Sequence, residues 1–388
     1  MTTVCNTLNI HIMKTQFFFA LAVVSFLFFS FTAKAQKTDE SSKSKIQVAL
    51  LLDTSNSMDG LIDQAKTELW SVVNELATAK YEGERPELEI ALYEYGNDGL
   101  ESADGYIRKV SNFTSDLDEI SELLFSLKTY GGSEYCGQVI GDAAKELQWT
   151  DSYSNLKMIV IAGNEEFTQG SVDYKATCKN AITKGIVINT IFCGNREEGI
   201  RTMWKDGADL ADGKYMNIDQ NQEIAYIETP YDSDIMRLNG QLNKTYIAYG
   251  YEGEEKLARQ ETQDINASQM NKKASVGRAV SKSSGAYKNA HWDLVDASED
   301  AEFDMSEISE QALPAEMKNM DEKERKAYIE KKKRERSKIK SEIQELNDKR
   351  EAFILKQRKE DAKEATLGSA LIKIVREQAE EKGYKFEK

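Results

Sequence analysis

The run Ile46-Gln47-Val48-Ala49-Leu50-Leu51-Leu52, followed at once by Asp53-Thr54-Ser55-Asn56-Ser57, decides how this chain reads. A nearly unbroken apolar stretch of that length is the pattern of a strand buried on both faces, as in a parallel sheet. From Gly60 the apolar spacing turns helical, with Leu61, Ala65, Leu69, Val73 and Leu76 on one stripe. The polar loop between strand and helix is therefore the first place to look for chemistry.

Working outward, further strands are expected over 88–95, 106–110 (an edge partner), 158–162, 186–192 and 214–218. Helices are expected over 115–127, 137–147 and 171–183. Strands alternating with helices predict an α/β fold, a doubly wound, mostly parallel six-stranded sheet flanked by helices. In such sheets ligands bind outside the carboxyl ends of the strands, at the switch in strand order.

The N-terminus is set aside from the fold. From Met13 and Lys14 the chain enters a Phe/Leu/Val/Ala-rich run over 17–31 and then Thr32-Ala33-Lys34-Ala35. These are the n-region, h-region and Ala-x-Ala site of a bacterial-type signal peptide, with cleavage after Ala35 and Met13 as the expected start. The apolar run is shorter than the roughly 20 residues of a membrane span. The mature chain is thus expected to have no stable membrane span and to be periplasmic or secreted. Residues 36–45 read as a solvated linker, 46–232 as the α/β domain, 233–313 as a docking segment of mixed structure, and 314–388 as a charged helical C-terminal region. In that last part, 321–364 is rich in Lys, Arg and Glu without Pro or Gly, the composition of a long helix. It reads equally as a solvated single helix or a coiled coil. The island Ala290-His291-Trp292-Asp293-Leu294-Val295-Asp296 is expected to dock on a core.

A net charge of -15 disfavours phosphate backbones, so nucleic acid is not an expected partner. Catalysis is not expected either. Only His11 and His291 occur in the chain, and there is no Gly-x-Ser-x-Gly elbow, phosphate loop or His-Glu-x-x-His.

One carboxylate and two hydroxyls at Asp53, Ser55 and Ser57 are hard oxygen donors suited to Mg²⁺, Mn²⁺ or Ca²⁺. The same loop also reads as a helix N-cap. A second loop, Thr129-Tyr130-Gly131-Gly132-Ser133-Glu134-Tyr135-Cys136-Gly137, adds a tight Gly pair and another hydroxyl. Together these motifs resemble the metal-ion-dependent adhesion site of von Willebrand factor A domains, over about 45–232. The resemblance implies a divalent cation held by Asp53, Ser55, Ser57 and Ser133. It also implies a protein partner that offers a carboxylate to the metal. The family's further Asp, in an apolar-strand-Thr-Asp-Gly context, is missing: the strand here runs Ile161-Ala162-Gly163-Asn164-Glu165. Alignment places Gly163 there, with Asn164 or Glu165 as the substitute; Glu134 reads as a solvated neighbour.

Export leaves Cys136, Cys178 and Cys193, so one disulfide plus a free thiol is the expectation. Cys136 with Cys193, both near the metal-bearing edge, is the first pairing, and the others stay open. Two functions remain on the sequence: a cation-dependent adhesion or interaction module, and a metal-independent scaffold that keeps the fold.

Overall fold

A computed structural model describes residues 43–152, 154–221, 226–357 and 366–387. The signal-peptide expectation, with Cys5 and His11, lies outside the described residues. In chain order the strands are β1 (Lys45–Asp53), β2 (Ala79–Lys80), β3 (Glu87–Tyr95), β4 (Ile107–Thr114), β5 (Leu156–Gly163), β6 (Val187–Cys193), β7 (Tyr215–Ile218) and β8 (Lys385–Phe386). The helices are α1 (Asp59–Leu76), α2 (Leu117–Ser126), α3 (Cys136–Glu146), α4 (Tyr174–Thr183), α5 (Arg196–Arg201), α6 (Trp204–Asp209), α7 (Asp232–Asn243), α8 (Gly253–Met270), α9 (Lys272–Ser283), α10 (Leu294–Ala297), α11 (Glu322–Gln357) and α12 (Leu367–Glu381).

Six strands form one sheet in the order β4-β3-β1-β5-β6-β7, parallel except for the edge strand β4. The chain winds left from β1 through β3 to β4, then crosses back to β5 and continues right. The switch in strand order therefore falls between β1 and β5, and Asp53 and Gly163 stand at the carboxyl ends of those two strands. This matches the expected α/β class, including the six strands.

The two faces of the sheet bury separate apolar clusters. On one, Val48, Leu52, Val160 and Cys193 meet α1 through Leu61, Leu69, Trp70 and Val73. On the other, Ala49, Leu51, Tyr93, Tyr95 and Ile161 meet α3 and α4 through Cys136, Val139, Ile140, Cys178 and Ala181. The expected Cys136–Cys193 disulfide does not form. All three described cysteines are free and buried, and Cys136 and Cys193 belong to clusters on opposite faces, so the sheet lies between them.

The C-terminal region folds back onto the α1 face. Val276, Ala279 and Val280 of α9 and Leu367, Ala370, Leu371, Ile374 and Val375 of α12 join the same cluster as α1. The polar stretch before α9, which carries no clear apolar stripe, is helical as α8, and β8 pairs antiparallel with β2. The long helix α11 packs along α7 and α9, burying Ile329, Ile343 and Ile354. Its Arg336 is 3% exposed and bonds Asp293 and Asp296 at 2.5 and 2.7 Å. The island docks as expected: Leu294 and Val295 are buried beside Ile247, Met305 and Leu313, and Trp292 stacks on Tyr246, while His291 is exposed. Among the described residues no helix is long and apolar enough to cross a membrane.

Candidate metal centre

Parallel pairing sets the geometry of the site. Asp53 lies opposite Tyr95 on β3, and Leu52 opposite Ala162 on β5, so the first loop emerges between the ends of three strands. Asp53 is fully buried, and its Oδ1 accepts from the Ser55 backbone N–H at 2.8 Å. Its Oδ2 has no hydrogen-bond partner. Ser55 Oγ lies 3.2 Å from Ser57 Oγ. Asn164 reaches across from β5: its Nδ2 donates to Ser57 Oγ at 3.2 Å, and its Oδ1 lies 3.4 Å from the same hydroxyl. The capping alternative for this loop is not realised, because α1 begins at Asp59 with no side-chain cap bond. Ser55 and Ser57 are thus free to turn toward Asp53 and Asn164.

The Gly pair holds the second loop against the first. Gly132 has φ +150°, and a Cβ there would lie 1.9 Å from the Gly96 carbonyl oxygen, so no other residue fits without moving backbone. Tyr130 N–H donates to the Thr54 carbonyl at 3.0 Å, and Asp98 N–H to the Gly131 carbonyl at 3.1 Å. The sequence reading of this loop needs one correction. Glu134 is not a solvated neighbour but is 3% exposed. Its backbone N–H donates to Gln169 Oε1, and its Oε2 has no partner. Ser133 is half-buried, and its hydroxyl bonds to none of the described residues.

Gly163 stands where the resemblance expects an Asp. A Cβ there would lie 2.4 Å from the Tyr95 hydroxyl and 3.1 Å from Asp53 Oδ2. The Tyr95 hydroxyl, donating to the Ala162 carbonyl at 3.0 Å, fills the space such a side chain needs. Glu134, Tyr95 and Gln169 are the residues that sequence reasoning missed. The only signal for Glu134 is its place directly after Gly131-Gly132-Ser133.

The electrostatics are one-sided. Burial raises the Asp53 carboxyl well above the usual range, and the nearby Glu165 charge pushes the same way. Burial also raises Glu134, helped by the charges of Asp53 and Glu165. Neither carboxylate takes part in an ion pair with any described residue. Among the described residues no three Asp, Glu, His or Cys side chains gather closely enough to hold a metal alone. A cation here would draw on hydroxyl and amide oxygens as well. Asp53, Ser55, Ser57 and Asn164 supply such a set, all hard donors, and the orphaned Asp53 Oδ2 fits a divalent cation better than it fits bare burial.

Residues 47–227 match the family model of the von Willebrand factor type A domain. Among solved structures, the chain is similar to the conserved hypothetical protein BatB from Bacteroides thetaiotaomicron: 18% identity, 45% of this chain, 90% of that one, TM-score 0.34. It is also similar to an aerotolerance-related membrane protein from Bacteroides fragilis, at 18% identity, 45% of this chain, 92% of that one and TM-score 0.31. A third is proximal thread matrix protein 1 from the mussel byssus, solved with zinc in its metal-ion-dependent adhesion site, at 13% identity, 45% of this chain, 42% of that one and TM-score 0.35. No curated protein matches the chain. With the strand order and both loops in place, residues 47–227 are a von Willebrand factor type A domain.

Proposed function

We propose that this protein is an exported module that binds a protein partner through a divalent cation held by Asp53, Ser55, Ser57 and Asn164. Domains of this type commonly mediate protein–protein interaction. The observation that carries the cation is Asp53 Oδ2, fully buried and without a partner. A cation at the mouth of the β1–β5 crevice would contact this oxygen and stay reachable from outside, since Ser57 is exposed. The cation's chemistry is that of a Lewis acid bridging the two proteins. Asp53 supplies charge, Ser55 and Ser57 supply neutral oxygens, and Asn164 orients Ser57. No step of catalysis enters this reading, and the expected setting is the periplasm or the cell exterior. The sequence expectation that a partner carboxylate completes the coordination is part of the proposal.

Calorimetry with Mg²⁺, Mn²⁺ and Ca²⁺ on the wild type and Asp53→Ala tests it. Saturable heats that vanish in the variant support the cation; equal heats for both proteins remove it. A second reading, a metal-independent scaffold, is favoured by the glycine at 163. In that case a captured partner stays bound in EDTA.

A further inference from the structure

Two acidic side chains converge on one bare stretch of backbone. A Cβ on Gly96 would lie 2.6 Å from Glu134 Cγ and 2.9 Å from Asp53 Oδ1, so Gly96 is the gap into which both reach, from different loops. Both are more than nine-tenths buried, and each has one oxygen, Asp53 Oδ2 and Glu134 Oε2, that bonds to nothing among the described residues. The nearest phenol cannot help, because the Tyr95 hydroxyl gives its proton to the Ala162 carbonyl. Among the described residues no Lys or Arg forms an ion pair with either acid. Two carboxyls held this close cannot both ionise without a counter-charge, and a hard divalent cation is one that lets both do so.

We infer that Glu134 is a second anionic ligand of the Asp53 cation site, so that the ion's charge is matched within the chain. The inference rests on the cation reading above and changes its chemistry. One Asp and one Glu balance a doubly charged ion, so binding needs no carboxylate from outside. A partner carboxylate then joins an ion the chain already holds, and does not create the site. The second carboxylate enters from just before α3, where its Cγ lies beside Asp53 Oδ1 across Gly96.

The test is titration of Mg²⁺, Mn²⁺ and Ca²⁺ into the full chain without any partner, comparing wild type, Asp53→Ala, Glu134→Gln and Thr183→Ala, an exposed position at the end of α4 outside both loops. The isosteric Gln keeps shape and removes charge. Its affinity is expected to fall by about 10–100-fold or more, since groups that only support a ligand already contribute that much. Thr183→Ala is expected to stay within about threefold, well below the loss of a supporting group. A melting temperature in EDTA at or above the wild-type value shows that Glu134→Gln is folded. If it is not, Glu134→Asp, which keeps the charge but withdraws it by one methylene, is expected to lose about tenfold. Wild-type affinity in the folded Gln variant, or in the Asp variant that replaces it, overturns the inference and leaves the cation reading standing. A wild type whose heats equal those of Asp53→Ala overturns both.

Discussion

The chain buries two sets of charges, and they are built oppositely. Between α2, α8 and α9, Arg278 and Lys282 meet Asp118 and Asp264 at 2.5 to 2.9 Å. Tyr287 and Asn243 bind into the same group, and the Arg278 guanidinium lies 4.8 Å from the Trp70 ring centre. There, charge is balanced and all four carboxylate oxygens are used, although Gln260 Oε1, Asn239 Oδ1 and Ser281 Oγ beside them bond to none of the described residues. At the β1–β5 crevice, Asp53 and Glu134 face each other with two unused oxygens and no cation side chain. The first arrangement fastens α8 and α9 to α1 and α2, and the second is left open on one side. A buried charge group that closes on itself is structure; one that is incomplete within the chain asks for something from outside.

The largest effect should come from breaking the closed group. Arg278→Met leaves Asp118 and Asp264 buried beside Lys282 alone, and removal of one partner from such a network costs about 3–5 kcal/mol. Urea unfolding followed by circular dichroism measures it; a loss below about 1 kcal/mol would place the group among weak surface pairs. The open group should respond in the opposite sense. In EDTA at about pH 9, above the value of about 8 to which burial pushes Glu134, Glu134→Gln removes an uncompensated buried charge, so stability is expected to rise by roughly 1–3 kcal/mol, a gain that vanishes or reverses once Mg²⁺ is added.

The pH dependence sharpens the same contrast. The Asp53 carboxyl is pushed up to about 7 and Glu134 up to about 8, from unfolded values near about 4. Across that window the folded state holds protons that the unfolded chain has released. Cation-free stability therefore falls as pH rises from about 4 to 8, and is fully present only below about 4. Asp264 is different. Burial alone would raise it, but Lys282 and Arg278 hold it far below the usual range, so its contribution is lost only in strong acid. Melting temperatures at pH 5.5 and 8.5 in EDTA, for wild type and the Asp53→Asn/Glu134→Gln double variant, check the sign. A slope of roughly 1–3 kcal/mol is expected in the wild type and a shallower one in the variant.

The sheet was legible because its strands announce themselves: 158–162 is wholly apolar and 46–52 nearly so, which only a covered parallel sheet requires. The Asp53 loop was legible because strand ends at a switch point are where ligands sit. The helices α8 and α9 were not: α8 buries Gln260 and Gln263, and α9 sets Arg278, Ser281 and Lys282 among its apolar Val276, Ala279 and Val280, which blurs the stripe. Polar residues buried at a helix interface leave no apolar period to read. Glu134 was misread for a related reason. A lone Glu beside Ser and Tyr looks solvated in sequence, and only the depth of Gly96 and the closeness of Gly132 to it bring that side chain inside. The fate of the cysteines depended on which face each strand residue takes, a parity that the chain alone left open.

The smallest expected effect concerns those cysteines. Burial raises the thiols of Cys136 and Cys193 well above the usual range and that of Cys178 up to about 12, and the thiolate is the reactive form. The native protein should therefore resist an aromatic disulfide reagent at pH 8 and react at all three positions when unfolded. Cys136 lies two residues beyond Glu134 at the start of α3, whereas Cys178 sits inside α4, away from both loops. If a cation ties Glu134 to Asp53, opening of the α3 end is suppressed. Labelling of Cys136 in mild denaturant should then slow by about threefold or more on adding Mg²⁺, with Cys178 changing less. Equal slowing at both sites would show that the cation stabilises the whole fold and not the open charge group in particular.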